Sequence, residues 1–352
     1  MSQLKTIAGL ACPAPLTKPD TILLGHGSGG KLSAELMREV FLPVFSSPRL
    51  AKLNDQAIVS IHGSRLAFTT DSFVVSPLFF PGGDIGSLAV HGTINDLAMG
   101  GARPLFLSAA FIIEEGLRFE VLKKVVASMQ RAADSAGAEI VTGDTKVVEK
   151  GHGDSLFINT TGIGVVPAEL EMSADRARPG DQVLLSGTIG DHGIAILAER
   201  EGMEFESTLE SDSAPLDGLT SEILQATCGI RCMRDPTRGG LSSALNEIAA
   251  QSQVGIELDE AFIPIREEVR GACEMLGLDP LYVASEGKLI AIVAPESAGR
   301  TLEAMRAHPL GLKAQIVGTV TSAHPALVTM KTALGTTRIV DMLAGDQLPR
   351  IC

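Results

Sequence analysis

The sequence predicts an α+β protein of two domains. Strand-like runs often follow one another directly, a pattern that favours α+β domains over a doubly wound parallel sheet. The chain has 352 residues, 45% of them apolar, which is enough for two hydrophobic cores. The polar stretch MSADRARPGD interrupts the succession of elements and places the domain boundary near residues 170–180.

The first half begins with a glycine-rich loop that enters a helix at about Leu32. Two strand-like runs follow, LNDQAIVSI and SRLAFTTDSFVV. The segment DIGSLAVHGTINDLAMGGARP predicts a helix, because its apolar residues recur on one face and Gly100 with Gly101 ends it. PLFLSAAFII predicts a strand and RFEVLKKVVASMQRAADSAGAE an amphipathic helix. EIVTGDTKVV and LFINTTGIGVV predict two more strands.

The second half restarts with a strand, DQVLLSG. Helices are predicted at about 191–200, 219–228 and 241–252. Four further strands are predicted at GIELD, KLIAIVA, KAQIVGTVT and ALVTM.

Composition and charge exclude several classes of function. A net charge of −13 argues against a nucleic-acid partner, which requires clustered Lys and Arg. No apolar run is long enough to span a membrane, and the first 20 residues read as a flexible lead-in without the basic region of a signal peptide, so a cytoplasmic location is expected. Five cysteines, an odd number, argue against a disulfide framework. Cys228 and Cys232 are interpreted as two buried thiols at helical spacing rather than a metal site.

The segment GHGSGGK has the spacing of a phosphate-binding loop, with Gly25, Gly30 and Lys31 at the expected positions. The next residue should be Ser or Thr to hold Mg²⁺, but it is Leu32, so the match is incomplete. A glycine turn entering a helix can still offer backbone N–H groups to an anion. Phosphate binding and a simple connecting turn both remain open.

Four aspartates follow or adjoin apolar segments of the first half: Asp55, Asp71, Asp96 and Asp144. Each alone could be a turn or cap residue. Several carboxylates at one place suit Mg²⁺, which binds one or two carboxylates together with substrate phosphates. Four of them in one domain beside a glycine loop predict a metal–nucleotide site.

Three further features have weaker interpretations. Gly239 and Gly240 in MRDPTRGGLSSALNEIA form another glycine turn before a helix, and His192 in GDHG is weak evidence of catalysis. The seven residues from Asp346 could span roughly 23–25 Å when extended. Such a tail can bring Cys352 into a cleft, where its thiolate is a nucleophile, although an incidental cysteine is the alternative.

Taken together, several segments resemble the HypE family of hydrogenase maturation proteins. They are GHGSGGK, LNDQAIV, TTDSFVVSPLFFPGGDIG, NDLAMGGARP, GDTKVVEKG, DPTRGGL, SEGKL and the final PRIC, in that order from about residue 20 onward. The resemblance implies the superfamily of aminoimidazole ribonucleotide synthetase, selenophosphate synthetase and thiamin monophosphate kinase. It also implies two α+β domains, with the N-terminal domains of two chains pairing their sheets into a β-barrel in a homodimer.

The resemblance further implies an activity. In that family the last cysteine carries the substrate, a carbamoyl group placed on its sulfur by a HypF-like carbamoyltransferase. The protein then uses ATP to dehydrate this group to a thiocyanate. The cyanide passes to iron held by a HypC–HypD-like complex, for a nickel–iron hydrogenase.

The residues implied for this chemistry fall into two groups. Those expected at Mg²⁺ and ATP are Asp55, Asp71, Asp96 and Asp144 as carboxylates, with Lys31 and Asn95 as phosphate or metal contacts. Those expected to meet Cys352 are Glu286, interpreted as the base, and Lys146, which could stabilise charge on the transferred phosphate.

The implied domains are a glycine-loop segment (1–44), an ATP-binding dimerisation domain (45–170), a C-terminal α+β domain (171–340) and a flexible tail (341–352). Two other functions stay open. A kinase or synthetase acting on a free small molecule would not need the final cysteine. A non-catalytic thiol carrier would not need the aspartates.

Overall fold

Two β-sheets, one in each half of the chain, organise the computed structural model, which describes residues 21–203, 209–345, 348 and 350–352. Helices cover both sheets, which confirms the predicted mixture of helix and sheet. The predicted lead-in of 20 residues, including Cys12, lies outside the described part.

The first half forms a five-stranded sheet in the order β1-β2-β7-β5-β6, antiparallel except for the parallel pair β5 and β6. Its elements are α1 (Lys31–Leu36), α2 (Leu42–Phe45), β1 (Ala57–Ile61), β2 (Ser64–Phe73), β3 (Phe79–Phe80), β4 (Gly83–Asp84), α3 (Ile85–Met99), β5 (Arg103–Glu114), α4 (Phe119–Ser135), β6 (Glu139–Val148) and β7 (Leu156–Val166).

Helix α3 fixes the interior of this half. Asp84 caps its first turn by accepting hydrogen bonds from the N–H groups of Gly86 and Ser87. The helix packs between β2, β7 and α4, so it is buried on almost every side and carries little amphipathic pattern. Polar residues on such a helix are held inside the protein, which matters for Asn95 and Asp96.

The five-stranded sheet has one covered and one open face. On β2, Thr69, Asp71 and Phe73 point toward α3, while Phe68 and Ser72 point away from it. Residues that pair across strands point to the same side. The open face therefore carries the paired row Phe68, Ile163 and Phe106, with exposed fractions of 45%, 36% and 43%.

The second half forms a seven-stranded sheet in the order β14-β13-β10-β12-β8-β11-β9. Its elements are β8 (Gln182–Leu185), α5 (Asp191–Glu201), α6 (Asp217–Ala226), β9 (Ile230–Arg234), α7 (Gly240–Ser252), β10 (Gly255–Asp259), α8 (Glu267–Leu276), β11 (Ile290–Val293), α9 (Pro295–Ala307), β12 (Gln315–Thr321), β13 (Val328–Lys331) and β14 (Thr337–Ile339). The sequence did not predict β9, α8, α9 or β14.

Strand β9 corrects the interpretation of the cysteine pair. Cys232 is buried on this strand, whereas Cys228 precedes it and is exposed, so the two thiols are not both buried at helical spacing. The strand was hidden in the sequence because Arg231 and Arg234 break its apolar pattern. Both arginines are paired inside the protein, with Asp181 and Asp55 respectively.

Within the described ranges, every helix is too short or too polar to cross a membrane.

Candidate functional site

A cavity of about 30 Å³ lies where α3 and β2 meet the loops that precede α7 and β11. A neighbouring cleft of about 260 Å³ shares the residues Ser72, Arg238 and Cys352 with it. The lining of the cavity is mostly ionisable or small: Asp71, Ser72, Phe73, Gly92, Asp96, Asp235, Thr237, Arg238, Glu286 and Cys352. The two halves of the chain therefore form this site together.

Two of the predicted aspartates, Asp71 and Asp96, line this cavity, and Asp55 lies near enough for its charge to raise the pKa of both. Burial raises the pKa of Asp71 and of Asp55, although Arg238 and Arg234 respectively oppose the rise. The pKa of Asp96 lies well above its usual range because of burial and then the charges of Asp235, Asp71 and Asp55. Thr69 Oγ1 donates to Asp96 Oδ2 at 2.7 Å, and Arg234 Nε lies 3.2 Å from Asp55 Oδ1.

Asp235 completes this carboxylate cluster and was not predicted. Burial and the charge of Asp55 raise its pKa to about 8. It follows β9 in the segment RDPTRGG, where the sequence drew attention only to the glycines. No comparable signal marked Asp235 in the sequence, because the strand that it follows was not recognised.

The carboxylate cluster fits a divalent cation in its chemistry. Among the described residues, no three His, Cys, Asp or Glu side chains already lie close enough together to hold a metal ion. Mg²⁺ is nevertheless usually bound by one or two carboxylates plus phosphates, so a preformed protein cage is not required. Buried carboxylates that raise one another's pKa are stabilised by an added positive charge.

Glu286 lies on the loop before β11 and is 2% exposed. Its main chain is fixed from two sides, since its N–H donates to Asp212 Oδ1 at 3.0 Å and its carbonyl accepts from Asn95 Nδ2 at 3.0 Å. Side-chain atom Oε1 is buried with no hydrogen-bond partner in the described part of the chain. Burial, followed by the charges of Asp235 and Asp71, raises its pKa well above the usual range.

Arg238 supplies the positive charge of the cavity. It lies in the turn before α7, and its Nη1 donates to the carbonyl of Gly27 at 2.9 Å. The negative charge of Cys352, then those of Asp71, Glu286 and Asp96, raises the pKa of its guanidinium. The segment DPTRGGL pointed to this turn, but the sequence did not show that its arginine enters the cavity.

Cys352 reaches the cavity, although the sequence did not fix the resting position of the tail. Its thiol-bearing side chain packs at the edge of the first-half core, and its carbonyl accepts from the N–H of Val74 at 3.0 Å. Ile351 before it is buried in the same core. The structure thus brings Cys352 and Glu286 to one cavity with Asp71 and Asp96.

Asp144 lies apart from the other aspartates within one chain, and its part in a metal–nucleotide site stays a prediction. Asp144 pairs across the sheet with Ala110, Asn159 and Ser72, and therefore points to the open face, away from Asp71. Strands β2 and β6 are three spacings apart, which separates the two aspartates by about 14 Å. Lys146 lies on the same open face, bonded to Asp144 at 2.8–2.9 Å, and its approach to Cys352 stays a prediction.

The side chain of Asn95 is fully buried, Nδ2 donates to the carbonyls of Ala214 and Glu286, and Oδ1 accepts from Leu216 N–H. In this arrangement it braces the loop of Glu286, and its contact with phosphate or metal stays a prediction.

The glycine-rich loop packs against its own chain. A Cβ on Gly29 would lie 2.4 Å from the carbonyl oxygen of Arg238, so glycine permits this close approach. Lys31 N–H donates to the carbonyl of Leu343 at 2.8 Å, and its ammonium pairs with Asp341. In this arrangement the first helical amide is occupied, and phosphate contact by Lys31 stays a prediction.

Comparison with known proteins gives two family matches and several close relatives. Residues 53–166 match the N-terminal domain, and residues 178–329 the C-terminal domain, of AIR synthase related proteins. The chain is 58% identical over 327 residues to carbamoyl dehydratase HypE of Azotobacter vinelandii, covering 93% of this chain and 96% of that one.

Two solved structures are similar over nearly their whole length. One is a HypE–HypF complex, with a TM-score of 0.83 and 50% identity over 88% of this chain and 99% of that chain. The other is HypE in complex with ATP, with a TM-score of 0.80 and 51% identity over 94% of this chain and all of that chain.

Proposed function

This chain belongs to the AIR synthase related proteins and, among them, to the HypE carbamoyl dehydratases of hydrogenase maturation, and we propose that it uses ATP to dehydrate a carbamoyl group carried on Cys352. The family resemblance inferred from the sequence is thereby confirmed. The observation that carries the proposal is the position of Cys352 in one cavity with Glu286 and the carboxylate cluster.

The proposed reaction balances as S-carbamoyl cysteine plus ATP giving S-cyano cysteine, ADP and phosphate. The amide oxygen attacks the γ-phosphate and becomes phosphorylated. When the C–O bond later breaks, this oxygen leaves as part of phosphate. Two N–H protons are lost as C≡N forms. The sulfur tether keeps the group at the site throughout, which gives a high effective concentration.

Glu286 is proposed as the base that takes an N–H proton. Its unpartnered Oε1 faces a small, buried space beside Cys352, and its raised pKa makes its ionised form a stronger base than an exposed glutamate. Arg238 is proposed to stabilise negative charge next to the transferred phosphate, since it is the positively charged side chain of the cavity lining.

The carboxylate cluster is proposed to hold Mg²⁺ with the ATP phosphates. Asp55, Asp71, Asp96 and Asp235 would provide the oxygen ligands. The ion would neutralise charge on the phosphates during transfer. The choice of ATP as the nucleotide is supported by the similar structure that was solved in complex with ATP.

Asp144 and Lys146 are proposed to act on the site of a second copy of the chain. Both stand on the open face of the first sheet, beside the exposed row of Phe68, Ile163 and Phe106. Pairing two such faces into a barrel would bury this row and remove it from water. The predicted homodimer would therefore provide a setting in which these two side chains could approach the tail cysteine of the other copy.

Two partners are proposed from the chemistry. A HypF-like carbamoyltransferase would load Cys352, in line with the HypE–HypF complex among the similar structures. A HypC–HypD-like iron complex would accept the cyanide. A cysteine at the end of a tail can be presented to each partner in turn.

The test follows the mass of the C-terminal peptide after carbamoylation and addition of ATP. Cys352→Ala should abolish carbamoyl acceptance and leave ATP binding intact. Glu286→Gln should accept the carbamoyl group but lose water more slowly, by a factor on the order of 10²–10⁴. Glu257→Gln, on an exposed position of β10, is the control and should react like wild type.

Four outcomes would count against the proposal. Carbamoylation of the Cys352→Ala protein removes the tail cysteine from the reaction. Loss of water at the wild-type rate in Glu286→Gln removes Glu286 as the base. ATP turnover that is independent of S-carbamoylation would instead favour a kinase or synthetase acting on a free small molecule. The absence of any ATP turnover would favour a thiol carrier.

A further inference from the structure

The last three residues are held to the protein through their main-chain carbonyls. The carbonyl of Arg350 accepts from Ser76 N–H at 3.1 Å and from Arg200 Nη2 at 2.7 Å. That of Ile351 lies 2.7 Å from His192 Nε2. Together with the bond from Val74 N–H to Cys352, a main-chain oxygen of each residue from 350 to 352 has a donor on the body of the protein.

Two of these donors come from the main chain after β2. The N–H groups of Val74 and Ser76 are two residues apart, as are their acceptors on Cys352 and Arg350, so the tail pairs with this segment in antiparallel fashion. Main-chain pairing of this kind allows a slip by two residues unless something else fixes the register. Side-chain donors can supply that constraint.

His192 is suited to fix the register. It is fully buried, and a carbonyl can only accept, so Nε2 carries the proton and donates to Ile351. Its Nδ1 lies 2.7 Å from Ser211 Oγ, which must then be the donor of that bond. Burial lowers the pKa of His192, which keeps the ring neutral and its tautomer fixed.

Arg200 lies on the same helix, α5, two turns after His192. Besides its bond to the Arg350 carbonyl, its Nε donates to the carbonyl of Ser76 at 2.9 Å. The guanidinium therefore spans the tail and the segment with which the tail pairs. One helix thus provides both side chains that contact successive tail carbonyls.

We propose that His192 and Arg200 are positioning residues that select the docked register of the tail, and so deliver the Cys352 sulfur to the cavity of Glu286. Both act on the main chain of the tail, His192 at Ile351 and Arg200 at Arg350. The only buried side chain among the last two residues before Cys352 is that of Ile351, at 7% exposure, whereas Arg350 forms a half-exposed ion pair with Asp154. Recognition therefore depends mainly on the main chain.

The first readout is alkylation of Cys352 by iodoacetamide in the unmodified protein, which needs no catalytic activity. Peptide mass spectrometry gives its rate relative to the exposed Cys228 in the same molecule. His192→Phe keeps a ring but leaves the Ile351 carbonyl without its donor, so alkylation of Cys352 should accelerate roughly 5- to 100-fold. His192→Gln restores an N–H at a similar distance and should stay within about 3-fold of wild type.

Arg200→Gln tests the second contact on a side chain whose loss leaves the core intact. It should accelerate alkylation roughly 2- to 10-fold, because Ser76 N–H still serves the same carbonyl. Arg306→Gln is the matched control: this arginine also donates to a carbonyl, that of Ala314, but does not contact the tail. Melting temperatures close to wild type show that all four variants are folded.

The second readout rests on the proposed function. Single-turnover dehydration of the carbamoylated protein should slow by factors similar to those measured for alkylation. Unchanged Cys352 alkylation in both His192→Phe and Arg200→Gln would overturn the positioning role. If alkylation rises as expected but even wild type fails to dehydrate its carbamoyl group, the positioning role stands and the proposed reaction fails.

Discussion

Replacing Asp235 by asparagine should stabilise the ligand-free protein, and more so as the pH rises. Asp235 is 7% exposed, and its pKa of about 8 means that the native state retains a proton which the unfolded chain has released above pH 4. Where the native state binds more protons, the free energy of unfolding falls with increasing pH. Wild type should therefore lose stability between about pH 4 and pH 8, and asparagine, which never ionises, removes this loss.

The size of this stability difference follows from the pKa shift of Asp235. The pKa of Asp235 rises from 3.8 to about 8, and each unit corresponds to about 1.4 kcal/mol, which gives an upper bound of about 6 kcal/mol at pH 8. Entry of water into the cavity lowers the desolvation cost, so we expect about 2–5 kcal/mol in favour of the variant at pH 8. At pH 4 both side chains are neutral and the difference should be close to zero.

Urea denaturation in EDTA at pH 5, 6, 7 and 8 measures this difference. Asp181→Asn is the control, because Asp181 is equally buried but accepts from Arg178 N–H and pairs with Arg231. Removing that paired carboxylate should not stabilise the protein at any pH. A gain for Asp235→Asn that is constant between pH 5 and pH 8, or that shrinks as the pH rises, would refute the reasoning.

Two further predictions concern the tail and the open sheet face. Ile351→Ala removes three buried carbons, about 2.4 kcal/mol, so Cys352 should be alkylated roughly 50-fold faster while the melting temperature stays unchanged, because the tail can leave without unfolding the core. Equal alkylation rates would show that Ile351 does not anchor the tail. Phe106→Glu places a charge in the exposed row of the first sheet and should give a mass near 36.8 kDa by light scattering, where wild type is expected as a dimer. Phe119→Glu, at a 75% exposed position on α4, should remain dimeric, and a dimeric Phe106→Glu protein would contradict pairing through this face.

Much of the fold could be predicted because its elements carry strong local signals. Helix α4 has a clear amphipathic pattern, and α3 is bounded by the cap Asp84 and by Gly100. Strand β9 had no such signal, since two of its five residues are arginines whose charges are compensated by Asp181 and Asp55 from distant parts of the chain. Pairing of that kind is a property of the tertiary structure and leaves no trace in periodicity.

The site was predictable only in part, for a similar reason. Asp71 and Asp144 look alike in the sequence, as acidic residues in apolar strands, but a strand exposes alternate residues to opposite faces. Register across four strands decides that Asp71 faces α3 and Asp144 faces outward. The role of Asn95 likewise depends on loops about 120 and 190 residues away, which supply the main-chain groups it bonds.

The electrostatics of the cavity connect the base to its acidic neighbours. The charges of Asp235 and Asp71 raise the pKa of Glu286, so neutralising either carboxylate must lower it. A base acts only when ionised, so the dehydration rate should rise with pH through the pKa of Glu286. In metal-free Asp235→Asn the titration of Glu286 should move to lower pH, because one repelling charge is gone, whereas Glu286→Gln should lack the rise in rate. The same acidic residues that destabilise the empty cavity thus set the pH at which Glu286 can accept a proton. An unshifted profile in Asp235→Asn would show that the carboxylate cluster does not influence the pKa of Glu286.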